Sequence, residues 1–291
     1  MIWNFFTNLI LLVFFTFSAL PSGINQDVNI ISLLPASSES IIVADKAAVL
    51  SADGRYLLFN KNADKQQPIA SITKLMTALV FVETNPDWKV TYQIKAVDSV
   101  EGGKLHLFLG DSLNLKDLFL TSLIASDNGA TIALVHASGL SEKDFVLRMN
   151  EKAKNLGLSK TVFVEPIGLS EKNVSTAREV SLLARKALDN PDISAAVKLS
   201  EYRFQTLEGR DKFIESTDYL LFDSEAGDLQ ALGGKTGYTD RAGYCFVGRF
   251  KGPGGEELIA AVLNSPGKNE RFRESKKIIN WVFENYLKSR N

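Results

Sequence analysis

The sequence predicts an α+β domain in which strands from both ends of the chain share one antiparallel sheet. Two observations carry this. Strand-like segments occur early and late, and helical blocks fill the middle. At 45% apolar and 23% charged, the 291-residue chain has the material for a packed core, which excludes wholesale disorder.

The early strands are residues 47–50 and 56–59, flanking Asp53-Gly54, a strong short hairpin signal. Helical character begins at Ser71 and runs through Leu75, Met76, Leu79, Val80 and Val82. Residues 115–124 and 127–137 form two further helical blocks. Ser141 with Asp144 reads as a helix start, Phe145, Met149 and Ala153 as its buried face, and Gly157 as its stop. Thr176 with Glu179 repeats that start signal ahead of the stripe Val180, Leu183, Ala184 and Ala187. Residues 233–236, 244–250 and 258–263 read as late strands, the last two joined through Gly252-Pro253-Gly254-Gly255. An amphipathic helix over 271–287, with Ile278, Trp281, Val282 and Tyr286 on one face, closes the domain.

The first charged residue is Asp27, and residues 2–20 are dominated by Trp, Phe, Leu, Ile and Val. Residues 1–23 therefore read as a signal peptide or an N-terminal membrane anchor. Residues 24–39, with Pro35 and a serine cluster, read as a linker to a domain over 40–291. Either reading of the leader places the domain across a membrane, so an extracytoplasmic location is expected, with N-terminal membrane contact if the leader stays.

Lys plus Arg total 33 against 34 Asp plus Glu, a balance that gives no support to nucleic-acid binding. One cysteine, Cys245, rules out an intrachain disulfide, and its apolar surroundings mark it as a core residue. Two histidines make a multi-histidine metal centre an unfavoured reading, and no cofactor signature is present. His106 lies in the alternation Leu105, Leu107, Leu109, read as a strand, and His136 in a helix. Both read as structural residues rather than as the base of a His-dependent hydrolase.

Three segments could carry chemistry. In Ser71-Ile72-Thr73-Lys74 the spacing puts hydroxyl and amine one turn apart on one helix face. Apolar neighbours Leu75, Leu79 and Val80 would desolvate the lysine, lower its pKa and make it a base for the serine. Ser126-Asp127-Asn128 sits at a break between helices, where Ser126 could relay a proton and the Asn128 amide could bind a peptide carbonyl. Lys235-Thr236-Gly237 follows Gly233-Gly234 on a strand. Its ammonium and hydroxyl can hold a carboxylate, and Gly237 would let a substrate backbone approach. Each pattern is weak alone. Ser265-Pro266-Gly267-Lys268 repeats the first spacing, and Ser112-Leu113-Asn114 the second.

Together, and in this order, the three segments resemble the motifs of penicillin-recognising serine enzymes. Pro68 through Lys74, residues 163–169, Ser175-Thr176-Ala177-Arg178-Glu179 and Lys235 through Tyr244 resemble the D-alanyl-D-alanine carboxypeptidase family. The resemblance spans about residues 40–287. It implies a β-lactamase/transpeptidase-like fold, an antiparallel sheet flanked by helices with an all-helical subdomain. It also implies a serine D,D-peptidase acting on peptidoglycan stem peptides and inhibited covalently by β-lactams. By the same resemblance Ser71 would be acylated, Lys74 would be the base, and Ser126, Asn128 and Lys235 would complete the proton-transfer and peptide-binding network. Lys235 and Thr236 would hold the terminal carboxylate of a substrate lying along the Lys235 strand. The N–H groups of Ser71 and Tyr238 would form the oxyanion hole. Arg271 falls where the family often has an arginine near that carboxylate; a solvent-exposed helix start is the other reading. Ser126-Asp127-Asn128, Phe163-Val164-Glu165-Pro166, residues 173–178 and Ala242-Gly243-Tyr244-Cys245 resemble the branch that cuts D-Ala–diaminopimelate cross-links. Many relatives continue into a second, β-rich domain with an amphipathic tail; none is seen here, so any anchor is expected at the N-terminus.

Two rivals share the motifs. A class A β-lactamase needs a carboxylate that activates the deacylating water, and Glu165 is the candidate. It is followed by Pro166-Ile167-Gly168-Leu169, without the asparagine expected there, and reads as structural. The other rival is a non-catalytic peptidoglycan-binding protein of the same fold.

Overall fold

The computed structural model describes residues 31–32, 38–100, 102–222 and 229–287. The expected leader, 1–23, lies outside the described residues. Among these residues no helix is long and apolar enough to cross a membrane.

The strands are β1 (Ile31–Ser32), β2 (Lys46–Ser51), β3 (Tyr56–Lys61), β4 (Gln67–Pro68), β5 (Thr91–Gln93), β6 (Ser112–Asn114), β7 (Val174–Ser175), β8 (Glu201–Gln205), β9 (Asp211–Glu215), β10 (Gln230–Thr239), β11 (Gly243–Lys251) and β12 (Glu257–Ser265). The helices are α1 (Lys74–Val82), α2 (Leu115–Ile124), α3 (Asn128–Ala137), α4 (Glu142–Asn155), α5 (Ala177–Leu188), α6 (Pro191–Val197) and α7 (Glu270–Val282).

The main sheet runs β1-β3-β2-β12-β11-β10, so strands from both ends of the chain share it, as expected. Its pairings are antiparallel except for β1, which lies parallel to β3 with Ile31 opposite Tyr56. These two residues come from the stretch read as linker. At the opposite edge, β10 pairs with β11 alone in this sheet, Lys235 opposite Val247.

Both faces of the sheet are covered. One carries the larger core, where Leu50, Val247, Ile259 and Ala261 pack with Leu79, Phe119, Val180 and Leu183 from the helices. The other packs Val49, Phe59, Phe246 and Val262 against Ile278, Ile279 and Val282 of α7. Strands buried on both faces read as continuous apolar runs, which is why 258–263 shows no alternation.

Local signals set the helix ends. Ser141 accepts the N–H of Asp144, and Thr176 that of Glu179. Gly157, at φ 72°, follows α4. The hairpin turn forms at Gly54, whose N–H donates to Ser51 O at 2.8 Å. The last helix is shorter than expected: α7 ends at Val282 and a π-helical turn, Phe283–Leu287, follows.

The strand expected around His106 is absent. Residues 102–110 form an irregular loop with Gly102, Gly103 and Gly110 at positive φ. The N–H groups of His106 and Phe108 donate to the carboxylates of Asp127 and Asp111, so side chains take the place of a neighbouring strand.

Candidate active site

The site forms where edge strand β10 meets the turn preceding α1. Ser71 does not begin the α-helix. It lies in a 3-10 turn, Ala70–Thr73, and α1 starts at Lys74. Ala70 adopts φ 49°, a left-handed conformation uncommon for a residue with a side chain, immediately before Ser71. Two glycines let both walls close on this turn. A Cβ on Gly237 would lie 2.8 Å from Ile69 O and 3.2 Å from Ser71 N. On Gly168 it would lie 2.0 Å from Ala70 O.

The expected hydroxyl–amine pair is formed. Lys74 Nζ lies 3.0 Å from Ser71 Oγ, 2.7 Å from Asn128 Oδ1 and 2.7 Å from the carbonyl of Ile167. Lys74 is fully buried. Desolvation lowers its pKa to about 7, opposed by the charges of Glu165 and Asp127. A neutral amine at this position can donate to Asn128 and Ile167 while accepting from the serine hydroxyl, the arrangement a base requires.

Ser126 and Asn128 reach the same pocket from the α2–α3 connection. Ser126 takes φ 58°, and Asp127 caps α3 by accepting the N–H of Ala130 at 2.8 Å. Asp127 thus serves as the helix cap, leaving its two neighbours to the cleft. Asn128 Nδ2 donates to Gly102 O at 2.9 Å, so its amide bridges Lys74 and the 102–110 loop.

Lys235 Nζ donates to Ser126 Oγ at 2.7 Å and to Thr236 O at 3.1 Å. Burial pushes Lys235 well below the usual lysine range, and the cations Lys74 and Arg271 add to that; Asp218 opposes it. Two hydrogen-bonded groups therefore stand in the pocket, Ser71, Lys74 and Asn128 in one and Ser126 and Lys235 in the other. Thr236 Oγ1 donates to Thr217 Oγ1 at 2.7 Å. Tyr238 is half-exposed and stacks on Tyr244 with ring centroids 4.3 Å apart.

Arg271 is 4% exposed, which removes the reading of a solvated helix start. Its Nη1 donates to Gly237 O at 3.2 Å and Cys245 O at 3.3 Å, tying β10 to β11 behind the Lys-Thr-Gly segment. Arg271 Nε is buried without a hydrogen-bond partner among the described residues.

The loop after α4 forms the opposite wall. Glu165 accepts the N–H groups of Ile167 at 2.7 Å, Gly168 at 2.8 Å and Ser170 at 3.2 Å, and the Asn173 amide at 2.8 Å. Asn173 also donates to Thr73 Oγ1, fastening this loop to the Ser71 turn. The carboxylate of Glu165 is engaged in holding the loop that presents Ile167 O to Lys74.

The remaining candidates lie elsewhere. His106 Nδ1 is 3.0 Å from Asp127 Oδ2, and His136 Nδ1 is 2.6 Å from Asp98 Oδ1; both brace the structure. Ser265 of the second Ser-x-x-Lys donates to Glu274, and Asn114 of the second Ser-x-Asn caps α2. Cys245 is buried, and desolvation pushes its thiol up to about 11. Among the described residues no group of three or more His, Cys, Asp or Glu side chains could hold a metal ion. Sequence reasoning missed Thr217 and Asp218, which enter the pocket from the loop after β9. Only their position shortly before the Lys235 strand marked them, and Ser-Thr-Asp clusters are common in turns.

Fold and site together define a penicillin-recognising serine enzyme. Residues 35–267 match the family described as D-alanyl-D-alanine carboxypeptidase, and the chain belongs to that family. It is 31% identical over 258 residues to a D-alanyl-D-alanine carboxypeptidase of Bacillus subtilis, covering 86% of this chain and 64% of that protein. It is 30% identical over 252 residues to the D-alanyl-D-alanine endopeptidase of Escherichia coli, covering 84% and 79%. The crystal structure of the Streptomyces K15 DD-transpeptidase superposes with a TM-score of 0.77 at 28% identity, over 84% of this chain and 98% of that one. A penicillin-binding protein homolog from Mycobacterium tuberculosis gives 0.78 at 27%, over 88% and 97%.

Proposed function

We propose that this protein is a serine D,D-peptidase that cleaves the D-alanyl-D-alanine bond of peptidoglycan stem peptides through an acyl-enzyme on Ser71. The 3.0 Å approach of Lys74 Nζ to Ser71 Oγ carries the reading, because it pairs a nucleophile with a buried amine able to accept its proton.

In this reading the substrate adds as a strand to the free edge of β10. Its terminal carboxylate meets Lys235 and the Thr236 hydroxyl. The scissile carbonyl points to the N–H groups of Ser71 and Tyr238. Ser71 Oγ attacks the carbonyl carbon as Lys74 takes the hydroxyl proton, and the negative charge gathers on the carbonyl oxygen. The C–N bond then breaks. The departing amine of D-Ala receives, through the Ser126 hydroxyl that Lys235 holds, the proton that Lys74 took from Ser71. Water hydrolyses the ester, with Lys74 again the base. A cross-link donates the same acyl group with a different amine leaving, so D-Ala–diaminopimelate cleavage uses identical steps.

The engagement of Glu165 in the loop's own hydrogen bonds argues against a β-lactamase that uses this carboxylate to activate water. The intact Ser71–Lys74 pair argues against a binding protein that has lost catalysis. A wall substrate places the domain outside the cytoplasm, secreted or held at its N-terminus. Incubating the purified protein with a pentapeptide and with a cross-linked dimer, then identifying products by mass spectrometry, tests the reading. Release of D-Ala from the first, or of monomers from the second, supports it. Neither product, with both substrates unchanged, refutes it.

A further inference from the structure

The carboxylate pocket contains a buried acid that belongs to none of the three motifs. Asp218 is 2% exposed. Its Oδ1 accepts the N–H of Leu220 at 3.1 Å, and its own N–H donates to Ser216 Oγ at 3.1 Å. Its Oδ2 is buried with no hydrogen-bond partner among the described residues. The preceding residue, Thr217, accepts from the Thr236 hydroxyl, so Asp218 follows directly on the residue bonded to a hydroxyl proposed to hold the substrate's carboxylate.

Two cations face it, Lys235 from β10 and Arg271 from α7. Neither spends its contacts on it: Lys235 is bonded to Ser126 and Thr236, and Arg271 to Gly237 and Cys245. Around these stand Lys74 beside Lys235, and Tyr219 and Tyr244 beside Arg271, with Lys268 bonded to the Tyr219 hydroxyl. Were Asp218 only the cap of the turn Tyr219–Phe222, one oxygen would suffice, and asparagine or serine would serve. The second oxygen places a titratable acid in the field of both cations.

We propose that Asp218 is a positioning residue that sets the charge of the carboxylate-binding pocket, so that its protonation controls how tightly an anionic peptide terminus is held. This rests on the peptidase reading. As a neutral acid, Asp218 leaves the field of Lys235 and Arg271 to the substrate. As a carboxylate, it cancels part of that field. Desolvation holds it up at about 7, while Leu220 N–H, Arg271 and Lys235 pull it down. Affinity for a carboxylate-terminated peptide is therefore highest below pH 7 and falls as pH rises through it. By linkage, binding at neutral pH draws a proton onto Asp218.

The test measures Kd in the full chain carrying Ser71→Ala, so that binding is read without turnover. For an acyl-D-Ala-D-Ala peptide, Kd should weaken about tenfold from pH 6 to pH 8.5, the size expected for one nearby charge. Adding Asp218→Asn should shrink the loss of affinity between pH 6 and pH 8.5, leaving only the part that comes as Lys74 gives up its proton through about 7. The amide-capped peptide should show no Asp218-dependent change with pH. An unaltered pH profile in the double variant, or an equal loss of affinity at every pH, would overturn the proposal. If Asp218→Asn does not fold, isotope-edited infrared difference spectra of 13C-aspartate-labelled protein decide the matter. A protonated aspartic acid band that grows on peptide binding at pH 7 supports it, and no change refutes it. Failure of D-Ala release by the unmutated protein, with no binding at any pH, would sink the peptidase reading itself.

Discussion

Lys74 Nζ stands 3.0 Å from Ser71 Oγ although the two residues belong to different elements, the serine to a 3-10 turn and the lysine to the first position of α1. The join between the tighter turn and the α-helix keeps the two side chains on one face. It also brings the lysine under the Ile167 carbonyl and the Asn128 amide, so the ammonium loses water on every side.

Lys74→Ala should slow acylation by a fluorescent penicillin by about 10²–10⁴-fold, the usual contribution of a positioned base. In the unmutated protein the acylation rate should rise with pH through about 7, because only the neutral amine can take the proton. Stopped-flow fluorescence between pH 5 and 9 reads both effects. A rate that is flat over that range would contradict a titrating lysine base.

The same burial has a stability consequence. Folding lowers the pKa of Lys74, so between about 7 and its ordinary value the unfolded chain binds more protons than the folded one, and stability rises with pH. The destabilisation is complete below pH 7. Comparing Tm of the parent and Lys74→Met across pH 6–10 should show the parent gaining on the variant as pH increases. A constant difference would show that the lysine keeps its ordinary pKa in the fold.

Lys235→Gln should raise KM for a carboxylate-terminated peptide by about 10–100-fold, the worth of a charge-assisted hydrogen bond. It should change KM for the amide-capped peptide far less. Steady-state kinetics with the two peptides provide the comparison, and equal losses on both would remove Lys235 from carboxylate recognition.

Gly237→Ala would set a Cβ 2.8 Å from Ile69 O, against the turn that carries Ser71. Displacing that backbone should cost about 1–3 kcal/mol and reduce acylation by more than tenfold, with the circular dichroism spectrum unchanged. Undiminished acylation would mean that β10 does not need to close on the Ser71 turn.

Glu165→Gln should lower Tm, because a carboxylate that accepts three loop N–H groups and the Asn173 amide becomes an amide with one acceptor oxygen. Acylation and deacylation should slow together as the loop loosens. Differential scanning fluorimetry and release of a labelled acyl group measure the two effects. A collapse of deacylation alone would make Glu165 a water-activating base.

Much of the architecture was legible because it follows from local chemistry. Asp53-Gly54 marked the first hairpin, and Ser141 and Thr176 marked two helix starts; each acts within a few residues of itself. The three motif segments were legible for the same reason: each carries its own reactive groups. Other features depend on distant partners. The alternation around His106 reads as a strand, yet no strand edge lies beside it, and Asp127 and Asp111 take its N–H groups instead. The hairpin of β8 and β9 exposes one face, and its covered face carries Lys212 beside Ile214, so polarity hid it. Helix α6 is only seven residues long, with a signal limited to Asn190 and Pro191. Arg271 was undecided because its burial comes from β10 and β11, far from it in sequence. Asp218 was silent because an aspartate in a turn reads as solvated until Lys235 and Arg271 are placed around it.

Intact-protein and peptide mass spectrometry after mixing with a penicillin tests the Ser71 acyl-enzyme most directly. The predicted result is one stable drug-derived mass per chain, located on the peptide containing Ser71 and lost in Ser71→Ala. An adduct on another residue, or one that persists in Ser71→Ala, would contradict the account.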